Sequence, residues 1–229
     1  FVDVVRNRKN LKSNKTRTIG ISKSNIDFIN KNILNIKKLI WNINKIEVFS
    51  ENLENKKILN FENDNLEIFS IVKNDLFYDQ LISSLKKDKY FKFLKNVKKK
   101  NYKLVINCDF YNEVTKKFFF RRINKNYKSY AHTALIEHRE IENNSIASQI
   151  FTKKGPLAFL PISKKLTSVV YSARGGKEID LEKLIKKYNV RYKIISISNS
   201  FTYELKSSLL RSYYYKNILA FGDLLHKIH

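Results

Sequence analysis

Gly222 and Asp223, placed directly after the apolar run 218–221, have the types and spacing for ligand chemistry. Glycine lets a ligand approach the backbone closely. A carboxylate at the carboxyl end of a strand accepts hydrogen bonds from sugar or polyol hydroxyls. Asp223 suits a second role equally well, as the cap of a following helix. His226 and His229 lie three residues apart with no third ligand nearby, which is poor ground for a metal site, and no metal is expected. Arg17 follows a polar loop over 7–15 and opens an apolar, branched run, the setting of a functional basic residue. Asp109 ends another apolar segment, either as a turn residue or as a ligand group. His132 and His138 sit on a strand-like stretch; His132 either faces a substrate pocket or, like His138, is an ordinary hydrogen-bonded histidine. No Ser-His-Asp or Cys-His arrangement offers a side-chain nucleophile.

The elements that must position these residues can be read from periodicity. Residues 2–5 read as a strand. Ser22 or Ser24 can cap a helix carrying Ile26, Ile29 and Ile33 on one face. Strands are expected at 46–49, 58–61 and 68–72. Asn74 stands where an N-cap belongs, before a helix with Phe77, Leu81, Ile82 and Leu85 inward. Lys98-Lys99-Lys100 reads as a solvated turn before a buried strand at 104–106. From about 130 to 173 the pattern becomes successive strands, with alternation in 131–136 and 167–171 and a turn at Gly155-Pro156. Asp180 caps a helix carrying Leu181, Leu184, Ile185 and Tyr188. The run Phe118-Phe119-Phe120-Arg121-Arg122 reads as core packing at a domain junction, with base stacking on the rings as the alternative. Helix–strand segments interrupted by a strand-rich block predict an α/β protein with an inserted antiparallel sheet.

Composition bounds the class. The 229 residues are 43% hydrophobic, with 16 Phe and 13 Tyr, so a globular core is expected. The net charge of +24 comes from 45 Lys and Arg against 21 Asp and Glu. It is spread along the whole chain with abundant Asn and Ile, which reads as compositional drift rather than a basic patch, and no nucleic acid is expected. Cys108 is the one cysteine, so no internal disulfide can form. No apolar run approaches the roughly 18 residues of a spanning helix, and the opening residues are no signal peptide. A cytoplasmic location is expected. The chain has no Met; opening in a strand and ending on an unclosed motif, it is expected to be an internal piece of a longer protein.

Several segments occur in a telling order: Arg17-Thr-Ile-Gly-Ile-Ser22, Val72-Lys-Asn74-Asp-Leu76, Leu104-Val-Ile-Asn-Cys-Asp109 and Gly155-Pro-Leu-Ala-Phe-Leu-Pro161. They are followed by Ser168-Val-Val-Tyr-Ser172, Tyr203-Glu-Leu205, Arg211 and Gly222-Asp-Leu-Leu-His226-Lys-Ile-His229. The series resembles the flavin-dependent aromatic hydroxylases of ubiquinone biosynthesis, within the para-hydroxybenzoate hydroxylase-like superfamily. There are departures. Arg6 stands where an acid is expected, Phe110 follows Asp109 in place of glycine, and Leu224-Leu225 replace two alanines. The two glycine-rich loops of the family are not in this chain.

The resemblance implies an interrupted Rossmann-like FAD-binding domain with an inserted antiparallel-sheet substrate domain. FAD-binding parts fall at 1–43, 73–117 and 206–229, and substrate-domain parts at 44–72 and 118–205. It implies FAD as cofactor, contacted by Arg17, Asn74, Asp109, Gly222 and Asp223, with NAD(P)H as co-substrate. An apolar phenol would be hydroxylated over a floor including Ala158, Leu160, Tyr171 and His132. A polyprenyl tail and the positive charge make peripheral contact with the inner membrane, and a ubiquinone-biosynthesis complex, natural expectations. The alternatives are a basic RNA-binding or ribosome-associated protein and a flavoprotein-like relative without catalysis.

Overall fold

The computed structural model describes residues 2–5, 16–54, 56–62, 67–94, 102–175 and 178–228. Arg6, the loop 7–15, Lys98-Lys99-Lys100 and His229 lie outside the described residues. The chain opens with β1 (Val2–Val5), β2 (Thr18–Ser22), α1 (Lys23–Asn32), β3 (Ile40–Ile43), β4 (Lys45–Ser50) and β5 (Lys56–Glu62). It continues through β6 (Phe69–Lys73), α2 (Asn74–Lys87), β7 (Phe91–Leu94), β8 (Val105–Asn107), α3 (Glu113–Phe118) and β9 (Arg122–His138). Next come β10 (Ile146–Thr152), β11 (Gly155–Pro161), β12 (Leu166–Arg174), α4 (Leu181–Tyr188) and β13 (Ile194–Ile197). It closes with β14 (Phe201–Leu210), β15 (Tyr214–Tyr215), β16 (Ile218–Ala220) and β17 (His226–Lys227). The fold is mixed α/β.

Two compact units emerge: 1–96, 131–173 and 178–202 in the first, and 97–130, 174–177 and 203–229 in the second. This is a division by compactness, different in kind from the cofactor and substrate segments named above.

In the first unit β10, β11 and β12 are successive antiparallel neighbours, β4 joins β10 in parallel, and β5 runs antiparallel to β4. Period-two alternation puts Leu157, Phe159, Val169, Tyr171 and Ala173 on one buried face with Ala134 and Ile136 of β9. Helix α4 covers that face with Leu181, Ile185 and Tyr188, and Asp180 caps it by accepting from the Lys183 N–H at 2.9 Å. A smaller antiparallel sheet, β2-β6-β3, packs against α1 through Ile21, Ile26, Ile36 and Val72. Ser22 caps α1, its hydroxyl accepting from the Asn25 N–H.

Three expectations change here. Ile33 is 54% exposed, because α1 ends one residue earlier and Ile33 is its C-cap. Asn74 does not cap α2: Lys73 holds that place, and the Asn74 N–H is taken by the Arg17 carbonyl at 3.0 Å. The hairpin turn is Lys153-Lys154, while Gly155 and Pro156 already pair with Thr152 and Phe151 inside the ladder. The Thr152 hydroxyl shapes that turn, donating to the Gly155 carbonyl at 2.7 Å.

In the second unit β8 and β16 pair in parallel, and β15 runs antiparallel to β16. Helix α3, capped by Asn112, helps enclose a small core of Phe119, Leu210, Ala220 and Leu224. The strand expected at 104–106 is displaced by one residue and is not buried, since Leu104 and Ile106 are each 57% exposed. A three-residue apolar run cannot tell a covered strand from a half-covered one. Strand β9 begins at Arg122, well before the alternation that announces it, because its polar first half is held in the sheet order next to β14.

Candidate functional site

The second unit brings Asp109 and the Gly222-Asp223 pair to one edge. The register Val105↔Ile218 through Asn107↔Ala220 makes the chain leave β8 and β16 at the same end. The Phe221 N–H, donating to the Asn107 carbonyl at 2.9 Å, ties the two exits together. In open α/β sheets ligands meet the carboxyl ends of strands, which is where both exits lie. Gly222 has φ 63°, the left-handed region, and a Cβ built there would meet nothing within 4 Å. Asp223 is exposed, and the short 3-10 turn it sits in has no side-chain cap bond. Phe221, and not Asp223, holds the N-cap place of that turn.

Asp109 is more occupied. Its carboxylate accepts from the Tyr111 N–H at 2.7 Å, and its carbonyl accepts the Thr115 hydroxyl. Buried Asn107 completes this turn through Thr115 at 2.8 Å and Asn112 at 2.6 Å. Phe110, standing where glycine was expected, lies 4.5 Å under the Arg122 guanidinium. Arg122 donates to the Leu224 carbonyl at 3.0 Å and to the Ser208 hydroxyl at 3.3 Å. Burial pushes its pKa down. Phe110, Tyr111 and Arg122 line a cleft of about 460 Å³.

In the first unit Arg17 is exposed and fixed by its neighbours. Thr16 bonds Thr133 of β9 hydroxyl to hydroxyl at 2.9 Å, and Thr18 donates to Ser168 of β12 at 3.2 Å. Ser168 pairs with Leu160, and Val170 with Ala158, so Leu160 and Ala158 share the sheet face that the Arg17 segment crosses. The Arg17–Asn74 backbone bond adds Asn74 to this group.

The four residues expected to floor a substrate pocket fall on two faces. Tyr171 and His132 point to the side covered by α4, with ring centroids 6.4 Å apart, opposite to Ala158 and Leu160. His132 is 1% exposed; its Nδ1 meets the Thr202 hydroxyl at 3.0 Å, its Nε2 has no partner among the described residues, and burial pushes its pKa down. His138 bonds the Arg139 carbonyl and the Thr167 hydroxyl, and its ring lies tilted 4.5 Å from that of Tyr192, the ordinary role for a core histidine. His226 is a strand residue packed edge-on against Tyr213.

Reading the sequence missed Arg122, Glu204 and Lys206 as possible site residues, Arg122 having been absorbed into an aromatic core run. A signal was present: 122, 124 and 126 on β9, and 204, 206 and 208 on β14, form polar sets at period two.

No protein-family model and no curated protein matches this chain. Solved structures do. A 2-methyl-3-hydroxypyridine-5-carboxylic acid oxygenase matches with TM-score 0.69 at 12% identity, over 91% of this chain and 65% of its own. The p-nitrophenol 4-monooxygenase PnpA of Pseudomonas putida matches with TM-score 0.75 at 10% identity, over 98% and 66%. The structure of pqsL, a probable FAD-dependent monooxygenase from Pseudomonas aeruginosa, matches with TM-score 0.70 at 12% identity, over 99% and 72%. The chain has their fold. It spans 65% of the length of the first of them. Among the described residues no helix is long and apolar enough to cross a membrane.

Proposed function

We propose that this chain is part of an FAD-dependent monooxygenase that hydroxylates an aromatic ring. The observation that carries the reading is the open, left-handed Gly222 with exposed Asp223 at the joint carboxyl edge of β8 and β16. The fold likeness to ring oxygenases over 98% of the chain supports it. Bound FAD, reduced by NAD(P)H, supplies the oxygen chemistry, and the protein supplies position and electrostatics. Gly222 would admit the cofactor against the backbone, and Asp223 would accept from a polyol hydroxyl. The residues fit FAD at Gly222; at Phe110, where the resemblance has glycine, a ring stacked under the Arg122 guanidinium stands instead, which does not suit close backbone approach. The motif series around Gly155–Pro161 supports the finer reading, a polyprenylated phenol of ubiquinone biosynthesis. The apolar Ala158 and Leu160, on the face crossed by the Arg17 segment, are the pocket residues this reading retains. A polyprenyl substrate and a net charge of +24 favour peripheral contact with anionic lipid.

Titration with FAD, followed by flavin fluorescence, tests the reading. Asp223→Ala is expected to weaken binding by about 1.5–3 kcal/mol, roughly 10- to 150-fold, the loss of a charge-assisted hydrogen bond. Thermal stability without FAD should change by less than about 0.5 kcal/mol, as for a surface substitution that breaks no cap. Unaltered FAD affinity in this variant would overturn the site.

A further inference from the structure

Strand β5 ends its ladder with an open outer edge. It runs antiparallel to β4, and among the described residues no strand pairs with its other side. All seven of its residues are exposed. Leu59 and Phe61, 52% and 50% exposed, stand opposite Val48 and Ile46 of β4. They continue a face that is buried at Val48 and packed at Ile46 against Ile43, Ile71 and Ala147. An apolar row thus runs out from a core and stops at a free backbone edge, the arrangement that a further strand extends. The charges at its ends decide which strand. Lys56 and Lys57 open β5, and Glu62 closes it. Lys57 and Glu62 share the face opposite to Leu59, where each already holds an ion pair with β4, Lys57 with Glu47 at 2.7 Å and Glu62 with Lys45 at 3.1 Å. A parallel copy of β5 would set lysine beside lysine. An antiparallel copy sets the lysines of each strand beside the glutamate of the other. The register shift next to Phe49 puts an irregularity at the lysine end and leaves 59–62 in regular pairing. A two-fold axis at Asn60 uses that regular part, with Leu59 opposite Phe61 of the second copy, twice, on the apolar face.

We propose that β5 is the interface of a two-fold dimer, in which two copies of this chain join their sheets edge to edge, antiparallel about Asn60. The assignment is independent of flavin binding. Sedimentation equilibrium on the full-length protein tests it and is expected to give twice the monomer mass. Phe61→Lys, which puts a charge into the apolar row, should raise the dissociation constant about 10-fold or more. Phe61 is half exposed, so the monomer should keep nearly the same Tm. Val190→Lys, at a 92% exposed position of the same unit, should leave the dimer unchanged. Crosslinking reads the register. In a Cys108→Ser background, Asn60→Cys should form a disulfide-linked dimer under a mild oxidant, and Lys56→Cys far less, because only residue 60 meets itself across the axis. A monomeric full-length protein would overturn the proposal, whether another part of the same chain covers the edge or a different protein takes it. A dimer that Phe61→Lys leaves intact, or that Val190→Lys weakens equally, would overturn it as well. Equal crosslinking from Asn60→Cys and Lys56→Cys would do the same. Should Phe61→Lys disturb folding, the two cysteine variants still decide the outcome.

Discussion

Two glycines, one in each unit, have left-handed backbones for opposite reasons. Gly155 starts β11 with φ 147°, and a Cβ there would lie 1.9 Å from the Ser172 carbonyl oxygen. Gly222 has φ 63° and open space where its Cβ would be. The first is glycine because two backbones press together; the second meets no neighbour that demands it. Around them the same contrast holds. The hairpin of Gly155 lies in a sheet whose buried face is filled by α4. The loop of Gly222 follows a strand whose partner leaves Ile106 exposed, and Phe221 just before it is 57% exposed. A filled site spends its glycine on packing, and an open one leaves it for something yet to arrive.

The sharpest way to break this comparison is Gly155→Ala. Backbone strain of about 1–3 kcal/mol and an overpacked contact of similar size should together cost about 4 kcal/mol. For a chain of this length that lowers Tm by roughly 8–16 °C. Thermal unfolding followed by circular dichroism reads it. A loss below about 1 kcal/mol would mean that β11 and β12 can part freely, and the contrast between the two glycines would be lost.

That hairpin also shows how much of the fold was legible. Residues around Gly155 were readable as two strands with a break, because alternation and Gly-Pro both speak locally. The break itself lies at Lys153-Lys154, since the Thr152 hydroxyl forms the turn, a side-chain bond that no dipeptide rule announces. The caps Ser22 and Asp180 were legible because a cap bonds three residues ahead. Asn74 was misread because its N–H is taken by Arg17, a partner 57 positions away in sequence. The candidate site divides in the same way. Gly222 and Asp223 were visible as a motif, and their juxtaposition with the end of β8 needs the parallel pairing. The opposite facing of Tyr171 and Ala158 follows from one odd and one even position, which could be counted once the register Ala158↔Val170 was known. The buried Arg122 Nη2 depends on side-chain geometry alone.

A second test sharpens the filled side. Glu51 fastens the Lys153-Lys154 turn: one oxygen accepts from the Lys153 N–H at 3.0 Å, the other from the Tyr188 hydroxyl at 2.6 Å and from Lys187 at 3.0 Å. These bonds, that of Tyr188 foremost, lower its pKa to about 2 from 4.5. A lowered folded-state pKa favours the native state while the group is ionised. The contribution is therefore complete above about pH 4.5 and is lost as pH falls toward about 2. Glu51→Gln should cost about 1.5–3 kcal/mol at neutral pH, the range for bonds to a charged group. Its stability should also fall less steeply than wild type between those pH values. Identical acid limbs in urea melts of the two proteins would show that Glu51 does not hold the turn.

The smallest expected effect tests the open side. Gly222→Ala meets no atom, so only the left-handed backbone opposes it, at about 1–2 kcal/mol. Gly222→Asn should recover most of that, because asparagine tolerates this region of backbone space. Stability alone would then mark Gly222 as an ordinary turn residue. The two readings part in FAD titration. If the backbone at Gly222 must touch a cofactor, both variants lose affinity, and Asn, the larger, loses more although it is the more stable. If affinity instead follows stability, with Asn binding better than Ala, the glycine serves the turn only. The open space beside it would then have no bearing on flavin.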